Sequence, residues 1–125
     1  MPLHPALLLI AHGSRNQLAN DDLFWLAGEL RMQGFELVEP SFLEIAPPDI
    51  LSAGKICVEK GATTVLMVPY FLSAGIHVQE DLTKAKQLLC EEFPTVQFKL
   101  VPPLGRHPSM VDLVLKRISE IEDFG

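Results

Sequence analysis

Three polar side chains of this sequence stand where a fold could bring them together for metal chemistry. His12 comes directly after one apolar segment, Glu44 ends a second, and His77 lies in the glycine-containing turn after a third. Neutral imidazole nitrogens, together with a carboxylate, suit a borderline divalent cation such as Co²⁺, Ni²⁺, Fe²⁺ or Zn²⁺. The residue types therefore indicate a divalent-metal site, provided that the three turns are neighbours in space.

The elements that must position these residues are predicted from four apolar segments, 6–11, 36–43, 63–69 and 96–101. Each is rich in β-branched and large aliphatic residues, as strands are. The first and third are apolar almost throughout, which is typical of interior parallel strands, whereas the second and fourth are mixed, as edge strands are. We therefore expect residues 1–125 to form a single domain with an α/β fold, a four-stranded parallel sheet of order 2-1-3-4 and helices on both faces.

Helical periodicity fills the gaps between these strands and follows the last one. The helices are predicted over 17–33, from Pro47 to Gly61, from about His77 to Phe93, and after Pro108. In the fourth helix the residues expected to face the core are Val111, Val114, Leu115 and Ile118.

In a parallel sheet of this order, the order in which successive strands are added reverses between strands 1 and 3. Ligands of open α/β sheets bind beyond the carboxyl ends of the strands at such a reversal of strand order. His12, Glu44 and His77 would then share one crevice. Each also has a plain structural interpretation, because a histidine after a strand is often a capping residue and a carboxylate there is often only solvated. A nucleotide site is disfavoured, since the first turn lacks G-x-G-x-x-G and a P-loop lysine, and Ser14 alone is a poor flavin phosphate loop.

The composition excludes several other classes. A formal charge of -6 argues against a nucleic-acid partner, which needs a dominant basic face. Cys57 and Cys90 lack the C-x-x-C spacing of zinc ribbons and redox motifs. The apolar run 5–11 is too short for a membrane span and lacks the basic flank of a signal peptide. We expect a soluble, cytoplasmic protein with no membrane partner.

Three motifs occur in order along the chain: H-G-S-R from His12, F-L-E-I-A-P-P around Glu44, and P-Y-F-L-S-A-G-I-H-V-Q-E-D-L around His77. As a set, from about Leu7 to Ile118, they resemble the small form of the CbiX family, the class II sirohydrochlorin chelatases. The resemblance implies a chelatase-like fold related to half of larger two-domain enzymes, and assembly as a homodimer. It also implies that His12 and His77 handle the metal and that Glu44 is the acidic group beside them.

The implied reaction is insertion of a divalent metal, Co²⁺ first and Ni²⁺ or Fe²⁺ as alternatives, into sirohydrochlorin, with no permanently bound cofactor. His12, His77 or Glu44 would accept the pyrrole protons. The alternatives are a non-enzymatic metal or tetrapyrrole carrier with the same histidine pair, a histidine phosphatase or phosphomutase, disfavoured because Ala11 stands where an arginine is needed, and a structural domain without a site. The expected substrate-binding residues, of which the two arginines could also be ordinary surface charges, are Ser14, Arg15, Tyr70, Phe71, Leu72, Ser73 and Arg106.

Overall fold

Strands and helices alternate along the whole of the chain that the computed structural model describes, residues 4–121. The elements are β1 (Ala6–Ala11), α1 (Gln17–Met32), β2 (Val38–Phe42), α2 (Ile50–Glu59), β3 (Thr64–Pro69), α3 (Ile76–Glu92), β4 (Gln97–Leu100) and α4 (Pro108–Ser119). The four strands form one parallel sheet in the order β2-β1-β3-β4, which confirms the predicted α/β fold and strand order. Within residues 4–121, no helix combines the length and apolarity needed to cross a bilayer.

The central strand β1 separates two apolar cores, because successive side chains of a strand point to opposite faces of the sheet. Leu8 and its even-numbered neighbours pack with α2 and α3, where Leu82 and Leu89 are buried. Leu9 and the odd-numbered residues pack under α1, against Leu23. Both faces of β1 are therefore covered by helices, as its uninterrupted apolar sequence predicts.

The helix ends follow the sequence signals that predict them. The Asn16 side chain accepts a hydrogen bond from the Leu18 N–H at 3.1 Å and begins α1, and Gly34 lies just beyond its end with φ +106°. The Asp49 carboxylate accepts from the Ser52 N–H at 2.8 Å and begins α2. Hydrogen bonds from Ser52 lower the pKa of Asp49, because they stabilise its charged form.

The last helix departs from the prediction. α4 begins as expected, with the His107 ring nitrogen Nδ1 accepting from the Ser109 N–H at 3.1 Å and Pro108 in the first turn. The expectation that its apolar residues face the core is wrong: none of its residues is buried, and Val111, Val114 and Leu115 are 61%, 54% and 57% exposed. An amphipathic pattern specifies that a helix has an apolar face, but not which surface covers that face.

Candidate metal-handling site

The turns after β2, β1 and β3 lie side by side at the carboxyl edge of the sheet. Backbone hydrogen bonds continue the sheet pattern beyond the strands: the Glu44 N–H donates to the His12 carbonyl at 3.1 Å, and the Tyr70 N–H donates to the Ile10 carbonyl at 2.7 Å. His12 therefore lies between the turn that carries Glu44 and the turn that begins at Tyr70. The site prediction depended on this adjacency.

Gly13 allows the turn after β1 to approach the turn after β2. Its φ is +99°, a conformation that other residues rarely adopt, and a Cβ built on it would lie 1.9 Å from the Glu44 carbonyl oxygen. Only a glycine fits such a contact without movement of the backbone. The positions of His12 and Glu44 are therefore coupled through Gly13.

A buried asparagine holds the rest of the same turn. The Asn20 side chain accepts a hydrogen bond from the Ser14 N–H at 2.9 Å and donates to the Ser14 carbonyl at 2.8 Å. Asn20 was not predicted as a site residue, although its spacing from Leu23 and Ala27 places it on the buried face of α1. A polar residue in an apolar stripe was the available signal. Asn20 fixes the backbone between His12 and Arg15.

His12 opens onto a cavity of about 300 Å³ at this edge of the sheet. The Phe71 ring lies edge-on to the His12 ring, with centroids 6.1 Å apart and an interplanar angle of 66°. An exposed imidazole beside aromatic and aliphatic side chains can present a ring nitrogen to a metal and an apolar surface to a flat ligand. The residues that line the cavity are His12, Tyr70, Phe71, Ser73, Gly75 and Val78.

His77 borders this cavity without lining it. It is the second residue of α3, it is exposed, and Gly75 and Val78 on either side of it line the cavity wall. Gly75, Val78 and the exposed Ile76 were not predicted as site residues. From the sequence alone, an apolar residue directly before a candidate metal-binding histidine cannot be told from a residue that packs in the core.

Glu44 is exposed at the other side of His12. Ile45, which follows it, has a φ of +70°, in the left-handed region that β-branched residues avoid, and its side chain is exposed. No sequence pattern indicates this backbone conformation. The backbone conformation at Ile45 places an apolar side chain in solvent directly beside the candidate carboxylate.

The loop after β4 packs on the turn after β3 and brings Arg106 to its side. The Leu104 N–H donates to the Phe71 carbonyl at 3.0 Å, and a Cβ on Gly105 would lie 1.8 Å from the Leu72 carbonyl oxygen. Arg106 is exposed with φ +62°, and Arg15 is exposed on the turn after β1. Within the described range 4–121, neither arginine is in an ion pair, so both are available to an anionic ligand.

The structure thus brings some of the predicted residues together more closely than others. His12, Tyr70, Phe71 and Ser73 share one cavity, and Glu44 is joined to His12 through the backbone. His77 and the exposed Leu72 stand at its border. Among residues 4–121, no three His, Cys, Asp or Glu side chains are close enough to one another to enclose a metal ion.

Comparison with known proteins gives the family. The model of the CbiX family matches residues 6–121. The chain belongs to the CbiX family. It is 32% identical over 115 residues to a sirohydrochlorin cobaltochelatase of Sulfurisphaera tokodaii, covering 92% of each chain. It is also 32% identical over 113 residues to the chloroplastic sirohydrochlorin ferrochelatase of Arabidopsis thaliana, covering 90% of this chain and 50% of that one.

A solved structure shows the same fold. The sirohydrochlorin chelatase SirB from Bacillus subtilis subspecies spizizenii, crystallised in complex with cobalt, superposes with a TM-score of 0.85 at 26% identity. The match covers 95% of this CbiX chain and 51% of that chain. The chain therefore spans about half the length of SirB and of the plant relative, and nearly the whole of the archaeal one.

Proposed function

We propose that this CbiX protein is a chelatase that inserts a divalent metal into sirohydrochlorin. The observation that carries the proposal is the exposed His12 imidazole, held on a fixed turn beside the aromatic cavity between Glu44 and the start of α3. The named relatives support it, because sirohydrochlorin chelatases match this chain along most of its length.

The metal is a substrate of this reaction and replaces two protons on the pyrrole nitrogens. His12 and His77 bind the cation through ring nitrogens and leave its other positions open for the nitrogens of the macrocycle. Glu44 or one of the two histidines accepts the two protons, which then pass to solvent because all three side chains are exposed. The reaction therefore consumes one metal ion and one free macrocycle, and releases the metallated macrocycle and two protons.

The remaining candidate residues orient the macrocycle. Tyr70, Phe71 and Leu72 offer an apolar surface for the ring face, with Ser73 at its edge. The carboxylates on the rim of sirohydrochlorin are bound by Arg15 and Arg106, assisted by Ser14. Because the chain has an overall charge of -6, these two local cations direct an anionic substrate to this edge of the sheet.

The size of the cavity supports a homodimer. A volume of about 300 Å³ is at the lower end of the range that encloses a drug-sized ligand, and a tetrapyrrole with many carboxylate-bearing arms is larger. One copy covers only part of such a substrate. A second copy facing the first would supply the missing wall.

Co²⁺ is the proposed metal, with Ni²⁺ and Fe²⁺ as alternatives. Relatives that match this chain over nearly all of both lengths are cobaltochelatases, among them that of Sulfurisphaera tokodaii, whereas the iron-named plant relative is about twice as long. Ligand type does not decide the question, since imidazole binds all three ions. Both cysteines are free thiols, which fits action in the reducing cytoplasm.

The test is anaerobic incubation of sirohydrochlorin with each metal, followed through the absorbance change of the macrocycle. We expect the protein to accelerate insertion over many turnovers, fastest with Co²⁺, and the His77→Ala and His12→Ala proteins to be slower. His107→Ala is the matched control, since that histidine caps α4 and does not line the cavity. Wild-type rates in His77→Ala would contradict its assignment, and a reaction that stops at one equivalent would identify a carrier.

A further inference from the structure

Two residues other than glycine have a positive φ within residues 4–121, and both lie at the carboxyl edge of the sheet. Arg106, at +62°, is on the loop after β4, and Ile45, at +70°, is on the turn after β2. Glycine adopts this left-handed conformation freely, whereas it is unfavourable for a residue with a Cβ and most unfavourable for a β-branched one. Isoleucine is therefore among the residue types least suited to the backbone at position 45.

Ile45 is the central residue of a γ-turn. The Ala46 N–H donates to the Glu44 carbonyl at 2.7 Å, and a φ near +75° at the residue between them belongs to the rare, strained form of this turn. The peptide after Glu44 cannot rotate to relieve the strain, because its carbonyl oxygen is packed against Gly13. The surrounding backbone therefore holds Ile45 in the left-handed conformation.

The loop that contains Ile45 is anchored at both sides. Leu43 packs against the core on the α2 and α3 face of the sheet, and Ala46 packs against the core under α1. The loop closes where the Phe42 N–H donates to the Pro48 carbonyl at 2.9 Å. The Ile45 side chain, between these anchors, belongs to neither core and is 59% exposed. The fold thus keeps a strained apolar residue in solvent without packing against it.

Exposed aliphatic side chains also lie on the other side of the candidate site. Leu72 is 60% exposed on the turn after β3, and Ile76 is 74% exposed at the start of α3. The turn that carries His12 runs between them and the turn that carries Ile45, because β1 lies between β2 and β3 in the sheet. The site therefore has apolar side chains on two flanks, with the His12 imidazole between them.

We propose that Ile45 is a macrocycle-binding residue, whose side chain packs on the face of sirohydrochlorin opposite to Leu72 and Ile76. The inference rests on the proposed function. Residues in unfavourable backbone conformations persist where the surrounding structure enforces them, and they cluster at ligand-binding sites. A side chain that contacts neither core and is held at the expense of stability is accounted for by a contact with a ligand. The flat, apolar face of a tetrapyrrole offers such a contact.

The position of Ile45 directly after Glu44 gives this contact a positioning role. The Glu44 N–H is bonded to the His12 carbonyl and the Glu44 carbonyl to the Ala46 N–H, so the backbone fixes Ile45 relative to both candidate groups. A macrocycle held on Ile45 would have its pyrrole nitrogens near the carboxylate and the imidazole. Ile45 itself takes no part in proton transfer. Its loss should therefore raise KM for sirohydrochlorin and leave kcat nearly unchanged, as loss of uniform binding does.

The first experiment combines stability with binding. Ile45→Asn introduces a side chain that tolerates a positive φ, so the melting temperature should rise by about 3–6 °C. The same variant should bind metal-free sirohydrochlorin about 10-fold more weakly in an anaerobic fluorescence titration, because an apolar contact is lost. Ile45→Leu keeps an apolar side chain and should bind as the wild type does. Met32→Asn is the matched control, since Met32 is 80% exposed at the opposite end of α1, and its affinity should not change.

The outcomes separate this inference from the proposed function. A melting temperature of Ile45→Asn below that of the wild type, or an unchanged affinity for sirohydrochlorin, overturns the inference alone when the wild type still inserts metal. An unchanged affinity together with an altered mass in sedimentation equilibrium would assign Ile45 to a contact between chains, and it also overturns the inference. A wild type that binds no sirohydrochlorin contradicts the proposed function, and the inference with it.

The second experiment observes the contact directly. In protein with ¹³C-labelled isoleucine methyl groups, the ring current of bound sirohydrochlorin should shift the methyl resonances of Ile45 and Ile76. Ile56, in the second half of α2, should keep its resonance. The Ile45→Leu spectrum assigns the Ile45 signal. If that signal stays in place when the protein is saturated with the macrocycle, Ile45 does not contact the ring.

Discussion

Replacement of Gly13 by alanine tests whether the rigid contact between the turns after β1 and β2 positions the site. The added Cβ would lie 1.9 Å from the Glu44 carbonyl oxygen, whereas real contacts of this kind are essentially never below 3.0 Å. The two turns must therefore separate by at least about 1.1 Å. Since the backbone of Glu44 is hydrogen-bonded to His12, the displacement reaches both candidate groups.

The expected magnitude has two parts. A φ of +99° costs an alanine about 1–2 kcal/mol, and the forced displacement adds about 1–3 kcal/mol, as overpacking does. A misplacement of about 1 Å also reduces catalysis by about 100-fold. We therefore expect Gly13→Ala to remain folded with a lower melting temperature, and to insert metal into sirohydrochlorin about 100-fold more slowly.

Gly61→Ala separates the two effects. Gly61 has almost the same φ, +101°, but nothing lies within 4 Å of the Cβ that the substitution would add, and it is in the turn after α2. It should lose stability from the backbone conformation alone and keep its insertion rate. If the two alanine variants insert metal equally fast under anaerobic conditions, the contact between Gly13 and Glu44 does not position the site.

Three further predictions concern groups outside the cavity. Asn20→Ala loses both hydrogen bonds to the turn after β1 and should lower the free energy of unfolding by about 1–3 kcal/mol and slow metal insertion, as urea titration and initial rates would show. Asp49→Ala should lower the free energy of unfolding by about 1 kcal/mol at pH 7. Because hydrogen bonds from Ser52 hold the pKa of Asp49 below 3.8, the wild type keeps this advantage above pH 3.8 and loses it at lower pH, where the urea midpoints of the two proteins should converge. Burial raises the pKa of Cys57 to about 12, so the folded protein should resist alkylation of Cys57 at pH 8 and should lose stability above pH 9.0, the ordinary pKa of the unfolded thiol. If mass spectrometry finds Cys57 alkylated as fast as the half-buried Cys90, this prediction is contradicted.

The sheet could be predicted from the sequence because the apolar or mixed pattern within each strand agrees with the position of that strand in the sheet. The uninterrupted apolar residues of β1 and β3 identify interior strands, and the mixed residues of β2, including Glu39 and Pro40, identify an edge. Once the strand order is known, parallel strands place their carboxyl ends together, and the adjacency of His12 and Glu44 follows. Helix ends were predictable for the same reason, since Asn16 and Asp49 cap helices through bonds within a few residues.

The features that sequence reasoning missed depend on contacts between distant or non-periodic groups. Asn20 was overlooked because its partner is the backbone of a turn six residues away, whose shape exists only in the folded protein. The solvent exposure of Ile45 follows from a positive φ that no local sequence rule predicts for isoleucine. The apolar residues of α4 were assigned to the core because periodicity reports an apolar face and not the surface that covers it, and in the described chain that face is exposed.

The organisation of the site fits the requirements of metal transfer better than those of metal storage. Gly13 and Asn20 fix the backbone that carries His12, and Gly105 fixes the loop that carries Arg106, so little ordering would be required for a macrocycle to bind at this edge of the sheet. The imidazoles themselves stay exposed, and a metal bound through one or two of them retains positions that ring nitrogens can occupy. A transferring enzyme must bind the ion more weakly than its product macrocycle does. Rigid turns that present exposed candidate ligands would meet that condition, because the backbone would supply the geometry while the side chains release the ion.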